Sequence, residues 1–235
     1  GSEMCIRDRR FYDVNSGKIL IDGHDIKEFN RQELRSLFGM VLQDTWLFNG
    51  TIKDNIRYGK LDADDNDIKQ ACKAASVDHF IKTLPDGYDM VLNEEADNIS
   101  GGQKQLFTIA RVILADPKIL ILDEASAMLD PRGRRGLMRV CKELHAQGMT
   151  IVMITHFMEE AAEADRIIVL EKGLCVLDGS PKEVLTQDEK LRTLNLAIPF
   201  ATKISRMLQD RGLPVSTHIN TETLKEELCR LHSNR

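Results

Sequence analysis

The sequence predicts an α/β fold built on a mainly parallel β-sheet, with a helical insert and a helical tail. Continuous apolar runs at 38–42, 119–122 and 150–154 are typical of strands that helices cover on both faces. The segment before the second run repeats apolar residues at i, i+3, i+4 and i+7, which indicates a helix with one buried face. The second run ends in Asp123 and Glu124, where α/β folds place their ligands.

The start of the chain does not belong to this pattern. Residues 1–9 read GSEMCIRDR, which resembles a translated sequencing adapter, and we treat them as a foreign leader. From residue 10 the pattern becomes coherent. It predicts a turn at 15–17, a strand at 18–21, a capping Asp25, a short helix around 31–36 and then the apolar strand at 38–42.

A helical insert follows and leads into a glycine turn. Residues 63–98 carry apolar positions at helical spacing, interrupted by a Pro-Asp-Gly turn. The chain then reads Ser100-Gly101-Gly102-Gln103 before the amphipathic helix that Pro117 ends. Glycines leave backbone N–H groups uncovered at a helix N-terminus, which carries a partial positive charge. This turn therefore suits a phosphate group.

The adjacent carboxylates of Asp123 and Glu124 predict that the chain also acts on the phosphate group that it binds. Asp123 is suited to hold Mg²⁺ through water, and Glu124 is suited to polarise an attacking water molecule. Taken singly, a Ser-Gly-Gly turn is usually a linker and an Asp-Glu pair after a strand is usually a loop start. Their order along one chain favours the functional interpretation.

The remainder predicts further alternation and then a tail. An amphipathic helix ends near Gly148, a strand covers 150–154, a hairpin covers 166–177, and Pro181 begins a short helix. Residues 186–235 form a separate small region, in which leucines at 224, 228 and 231 predict a final amphipathic helix.

Composition excludes several classes of protein. The net charge of −5 does not indicate a nucleic-acid surface. Five dispersed cysteines without a C-x-x-C pair fit a reducing compartment. No apolar run approaches the roughly 18 residues that a membrane-spanning helix needs.

The segments ISGGQKQ and ILILDEASAMLD resemble the signature and Walker B segments of ABC-type ATPases. Residues 10–125 are similar to the ATPase domains of multidrug and lipid exporters. Residues 127–235 look like an energy-coupling factor ATPase, an importer subunit. We expect a chimera joined at ILILDEAS, which both families share.

The resemblance implies a P-loop NTPase-like ABC ATPase fold. The core would comprise 10–62 and 103–185, with a helical subdomain at 63–102 that carries the signature and a C-terminal helical appendage at 186–235. The resemblance also implies ATP and Mg²⁺ as cofactors. The site residues that it implies are Gln43, Asp123, Glu124 and His156 on the catalytic side, Ser100, Gly101, Gly102 and Gln103 for a nucleotide held by the partner, and Asp130 at the dimer interface. Gln43 and Asp123 would serve Mg²⁺, and His156 would contact the γ-phosphate.

The implied partners are a second ABC ATPase subunit, identical or different, and transmembrane transporter subunits, but no nucleic acid. The protein would lie peripherally on the cytoplasmic face of the membrane. The loop after Gln43 and the acidic pair Glu94-Glu95 would contact the membrane domain. Within that loop Trp46, Leu47 and Phe48 form either a docking surface or a local core.

The 235 residues contain no G-x-x-x-x-G-K-[ST] phosphate loop, so we expect an N-terminally truncated core that is inactive alone. One preorganised donor is worth roughly 3–4 kcal/mol in other enzymes. A micromolar to millimolar dissociation constant corresponds to a binding free energy of only about 4–8 kcal/mol. Losing the several donors of the phosphate loop would therefore remove all of the binding free energy for ATP. The alternatives are an energy-coupling factor importer ATPase, a non-catalytic signature-side or regulatory subunit, a soluble ABC ATPase of translation or DNA repair, and a fragment without function.

Overall fold

The computed structural model describes residues 16–93 and 98–233, which form two compact units that divide between Ile154 and Thr155. Three sequence-based assignments lie outside the described residues: the leader at 1–9, the start of the core at 10–15, and the acidic pair Glu94-Glu95. The division into core, helical subdomain and appendage stays a prediction.

The first unit contains short hairpins, helices and a central sheet. Its elements are, in chain order, β1 (Leu20–Ile21), β2 (His24–Asp25), α1 (Arg31–Ser36), β3 (Phe38–Val41), β4 (Gly50–Thr51), α2 (Ile52–Arg57), α3 (Asp65–Ala74), α4 (Asp78–Thr83), β5 (Val91–Leu92), α5 (Gly101–Ala115), β6 (Ile119–Asp123), α6 (Pro131–Ala146) and β7 (Thr150–Ile154). Short 3₁₀ turns at Ile26–Glu28 and Gly87–Asp89 complete it.

The central sheet is parallel, with strand order β3-β6-β7. In the middle strand Leu120 and Leu122 are 2% and 0% exposed, which explains the unbroken apolar run. Met40 lies opposite Ile121, and Asp123 lies opposite Ile154. The carboxyl ends of the three strands therefore meet at one edge of the sheet.

Helix α5 packs closely on β3. A Cβ atom built on Gly39 would lie 2.3 Å from Cγ1 of Val112 and 2.6 Å from Cγ of Pro117, so only glycine fits here. The helix ends at Asp116, whose φ is +48°, immediately before Pro117. The stop that we predicted at Pro117 is confirmed.

Side-chain hydrogen bonds to one carboxylate connect the helical segment between β4 and β5. Asp78 accepts hydrogen bonds from Lys82 Nζ and from the Tyr88 hydroxyl, both at 2.7 Å. Burial alone raises the pKa of the Asp78 carboxyl, but these two hydrogen bonds outweigh it and lower the pKa. Nearby, burial raises the pKa of the Cys72 thiol to about 12, so this thiol is a core filler.

The second unit combines one hairpin with helices. Its elements are α7 (Met158–Ala161), β8 (Ile167–Glu171), β9 (Leu174–Gly179), α8 (Pro181–Leu185), α9 (Asp188–Thr193), α10 (Phe200–Asp210) and α11 (Thr221–Ser233). Strands β8 and β9 form an antiparallel sheet of their own, and Gly173 has φ +81° at their turn. The predicted final helix is present, and its Leu224 is buried in a small core with Ala201.

Within the described ranges, no helix is both long enough and apolar enough to cross a bilayer.

Candidate functional site

Two neighbouring strands end at predicted catalytic residues. In the ladder between β3 and β6, Val41 lies opposite Leu122. Gln43 follows Val41 by two residues, and Asp123 is the last residue of β6. Because parallel strands bring their carboxyl ends to one edge, Gln43, Asp123 and Glu124 share that edge. Gln43 is exposed, and the two carboxylate residues are partly buried.

Glu124 has an unusual backbone conformation. Its φ is +49°, in the left-handed region that costs a residue with a Cβ roughly 1–2 kcal/mol. The turn is held from both sides, because the Glu124 N–H donates to the Ile154 carbonyl at 3.0 Å and the Glu124 carbonyl accepts from the Ala127 N–H at 2.9 Å. Strain of this kind persists where the surroundings fix it, and it clusters at functional sites.

The glycine turn is a capping box at the start of α5. The Ser100 hydroxyl accepts the Gln103 N–H at 3.3 Å, and Gln103 Oε1 accepts the Ser100 N–H at 2.8 Å. An α-helix offers no partner within itself to its first N–H groups, here those of Gly101 and Gly102. The turn therefore offers backbone donors at the positive end of a helix of 15 residues.

The segment after Glu124 returns to this turn. A Cβ atom on Gly102 would lie 3.3 Å from the Met128 carbonyl oxygen, so a larger residue at Gly102 would be crowded. Met128 itself is 57% exposed. Asp130 has a local task, because its carboxylate caps α6 by accepting the Gly133 N–H at 2.6 Å. Its predicted place at a dimer interface stays a prediction.

His156 follows the end of β7 by two residues but belongs to the second unit. Its ring stacks on Phe157 with centroids 4.4 Å apart. The adjoining Thr155 hydroxyl donates to Glu160 Oε2 at 2.6 Å and accepts the Phe157 N–H at 3.0 Å. The structure thus describes the surroundings of His156 locally, and its convergence with the sheet edge stays a prediction.

The loop at residues 44–49, which we call the aromatic loop, divides between the two interpretations offered for it. Leu47 is 5% exposed and joins the core, whereas Trp46 is 62% exposed. Tyr58 adds a second exposed ring whose centroid lies 6.4 Å from that of Trp46. Tyr58 was not predicted from the sequence, although a signal was present: it lies outside the buried stripe of Ile52 and Ile56.

Gln105 also escaped the sequence analysis. It is 1% exposed on α5, and its Nε2 donates to the carbonyl of Leu42 at 3.2 Å, directly before Gln43. Its position four residues before Ile109, on the apolar face of the predicted helix, was the available signal.

The donor chemistry at the sheet edge fits Mg²⁺ that arrives with a nucleotide. Within the described residues, no three His, Cys, Asp or Glu side chains are grouped to hold a metal ion by themselves. Nucleotide sites typically bind Mg²⁺ through one or two carboxylates, with phosphates and waters completing the octahedron. The carboxylate of Asp123 and the amide oxygen of Gln43 are donors of that kind.

Comparison with known proteins gives these features a family context. Residues 9–127, just over half of the chain, match the sequence profile of the ABC transporter family. Residues 199–235 match the C-terminal domain of the energy-coupling factor transporter EcfA1. The predicted resemblance to ABC-type ATPases is thereby confirmed, and the predicted resemblance to an energy-coupling factor ATPase is confirmed for residues 199–235. The chimeric join between them stays a prediction.

Individual relatives agree with these profiles. YfiC of Bacillus subtilis, described as an uncharacterized ABC transporter ATP-binding protein, is 48% identical over 178 residues, which are 76% of this chain and 29% of that protein. The fatty acid ABC transporter ATP-binding/permease protein of Mycobacterium bovis is 46% identical over 178 residues, 76% of this chain and 28% of that protein. The chain therefore spans less than a third of these curated relatives.

A solved structure supports the fold directly. The structure of a bacterial Atm1-family ABC exporter with ATP bound superposes with a TM-score of 0.77 at 36% identity, covering 83% of this chain and 35% of that one. This coverage extends beyond the segment 10–125 that we compared with exporters. With a sequence profile over half its length and the same α/β architecture, this chain belongs to the ABC transporter family and has the fold of its ATPase domains.

Proposed function

We propose that this chain is the ATP-binding and ATP-hydrolysing part of an ABC-type membrane transporter, in which hydrolysis drives substrate transport. The observation that carries the proposal is the shared sheet edge, where β3 and β6 end next to Gln43, Asp123 and Glu124 in the sequence. Ligands of α/β sheets bind outside the carboxyl ends of the strands, which is this edge.

Each residue has a task that its chemistry supports. Bound Mg²⁺·ATP supplies a cleavable phosphoanhydride bond and a cation that neutralises the phosphate charge. Asp123 and Gln43 hold the cation through oxygen donors, in part by way of water. Glu124 polarises the attacking water and accepts its proton. His156 contacts the γ-phosphate from the end of β7.

The glycine turn serves a nucleotide held by a second subunit. Its N–H groups at Gly101 and Gly102 lie at a helix N-terminus, which suits the γ-phosphate of ATP bound to the partner. Asp130 lies near the same subunit boundary. The working unit is therefore a dimer of ATPase subunits, of one kind or two.

The second partner is a transmembrane domain. Trp46 in the aromatic loop and Tyr58 next to it are 62% and 59% exposed, and aromatic residues are favoured at the centre of protein interfaces. A protein that docks by this surface lies peripherally on the cytoplasmic face of the membrane.

A mixed-subunit assay tests the proposal. The chain is combined with the ATP-binding domain of the B. subtilis relative, and ATP hydrolysis is measured. Ser100→Arg in this chain fills the phosphate-facing turn, so we expect hydrolysis to fall by at least about tenfold, equivalent to roughly 1.4 kcal/mol.

The matched control is Ser180→Arg. Ser180 forms the same kind of capping box at the start of α8, where it accepts the Glu183 N–H, and we assign no ligand to that helix. Equal losses from both variants would mean that Ser100 matters only as a helix cap, and the signature-side proposal would be wrong.

The 235-residue chain alone should bind ATP too weakly for a micromolar titration, because its residues include no phosphate loop. Calorimetric titration of the isolated monomer with Mg²⁺·ATP measures this. A micromolar dissociation constant would contradict our expectation that this chain does not hold ATP by itself. Hydrolysis by the mixture that Ser100→Arg abolishes, together with no ATP binding by the isolated chain, would favour a non-catalytic signature-side subunit. No hydrolysis in any mixture would favour a fragment without function.

An importer component is the second candidate. The match of residues 199–235 to the EcfA1 C-terminal domain favours an energy-coupling factor ATPase over an exporter. Co-expression with an energy-coupling factor transmembrane subunit and, separately, with an exporter permease distinguishes them. Stable co-purification with the first alone would support the importer.

A further inference from the structure

Arg111 on α5 reaches across to the aromatic loop and to α2. Its Nε donates to the Asn55 carbonyl at 2.8 Å, and its Nη2 donates to Asn55 Oδ1 at 3.1 Å. Its Nη1 donates to the Trp46 carbonyl at 3.1 Å. All three guanidinium nitrogens therefore contact two neighbouring segments, with a planar geometry that lysine does not reproduce.

Asn55 continues the connection from the other side. It is fully buried, and its Oδ1 accepts the Phe48 N–H at 3.0 Å. Its Nδ2 donates to the carbonyls of Phe48 at 2.9 Å and Thr51 at 3.1 Å. One side chain thus satisfies both backbone groups of Phe48, and Arg111 in turn fixes that side chain.

The exposed rings sit on this same cation. The Arg111 Cζ atom lies 6.0 Å from the Trp46 ring centroid and 5.5 Å from that of Tyr58, within the range of cation–π contacts. Burial lowers the pKa of the Arg111 guanidinium. The backbone of α5 at Arg111 also lies close to that of Gly59, because a Cβ atom built on Gly59 would lie 2.0 Å from the Arg111 carbonyl oxygen.

Helix α5 also forms a hydrogen bond with the backbone just before the aromatic loop. Gln105 Nε2 donates to the Leu42 carbonyl. Two side chains of α5, those of Gln105 and Arg111, therefore form hydrogen bonds with the backbone before and after Gln43. The same helix begins at the Ser100 turn. A displacement of the backbone at Leu42 or Trp46 must therefore move α5, or else break these hydrogen bonds.

We propose that Arg111 is a positioning residue that ties the aromatic loop to the helix of the glycine turn, so that a load on Trp46 and Tyr58 reaches Gln43 and Ser100 together. This rests on the proposed function, in which Gln43 and Ser100 face nucleotides and the exposed rings face the membrane domain.

Trp46 is the only tryptophan of the chain, so its fluorescence reports on the loop directly. Arg111→Lys keeps the charge but loses the planar fork. We expect lower Trp46 anisotropy and an approximately twofold larger acrylamide quenching constant, because the loop gains freedom. The control is Arg139→Lys on the exposed face of α6. Circular dichroism confirms that each variant is folded, and Gln105→Met tests the second grip if Arg111→Lys unfolds.

The functional readout uses the mixed-subunit assay. Arg111→Lys should lower kcat severalfold while KM for ATP stays within twofold, because the variant disturbs geometry and leaves the nucleotide contacts intact. Unchanged anisotropy and quenching would overturn the positioning role. Altered fluorescence with unchanged kcat would overturn the coupling. If the wild-type mixture hydrolyses no ATP, the proposed function fails, and the fluorescence comparison alone then decides whether Arg111 holds the loop.

Discussion

At the scale of the residue, Glu124 combines a costly backbone with a predicted chemical role. Its left-handed φ of +49° predicts that Glu124→Gly is more stable than Glu124→Ala by about 1 kcal/mol, since only the alanine variant keeps a Cβ in that region. Urea unfolding of the two variants measures the difference.

Both variants remove the same carboxylate, so a difference in stability between them reflects the backbone conformation and not the loss of the charge. Equal stability of the glycine and alanine variants would show that Glu124 is not strained in solution.

At the scale of the element, the contact of α5 with β3 depends on Gly39. Gly39→Ala should lower the free energy of unfolding by about 1–3 kcal/mol, because the new methyl group would overlap Val112 and Pro117. Gly136→Ala is the control: among the described residues no atom lies within 4 Å of a Cβ at that site in α6, so it should raise stability by about 0.5–1 kcal/mol. A loss at both sites would contradict the packing argument.

The sequence predicted those elements whose ends carry local signals. Helix α1 and strand β7 have the predicted bounds, and Asn30 supplies the helix cap by accepting the Gln32 N–H. Strands β4 and β5 escaped prediction, because two-residue strands have no periodicity and their pairing joins Gly50 to Leu92 across the helical segment.

The site was predictable to the extent that motifs define it. Gln43, Asp123 and Ser100 carry motif signals, whereas Arg111 and Asn55 act through backbone carbonyls that no sequence pattern displays. Their role follows only from packing α5 against α2, which the periodicity of either helix cannot reveal.

At the scale of the whole molecule, the sheet ends in a strand with an exposed apolar side chain. Strand β7 pairs with β6 at the end of the described sheet, and its Val152 is 38% exposed. Unprotected edges promote pairing between chains, so we expect association that increases with protein concentration. Val152→Lys should reduce it in light scattering, whereas Gln32→Lys, which adds the same charge on exposed α1, should not. Equal effects of both variants would indicate a net-charge effect instead.

The pairing of β3 with β6 also determines how late in synthesis the central sheet can form. Phe38 lies opposite Ile119, so β3 leaves the ribosome 119 − 38 = 81 residues before its partner. At about 5–20 residues per second, that interval is on the order of 4–16 s. The helices at 65–83 pack on α5, which also precedes β6 in the chain, so they can form within this interval. The nascent chain can thus complete its helical segment while the apolar strand β3 is still without its partner β6.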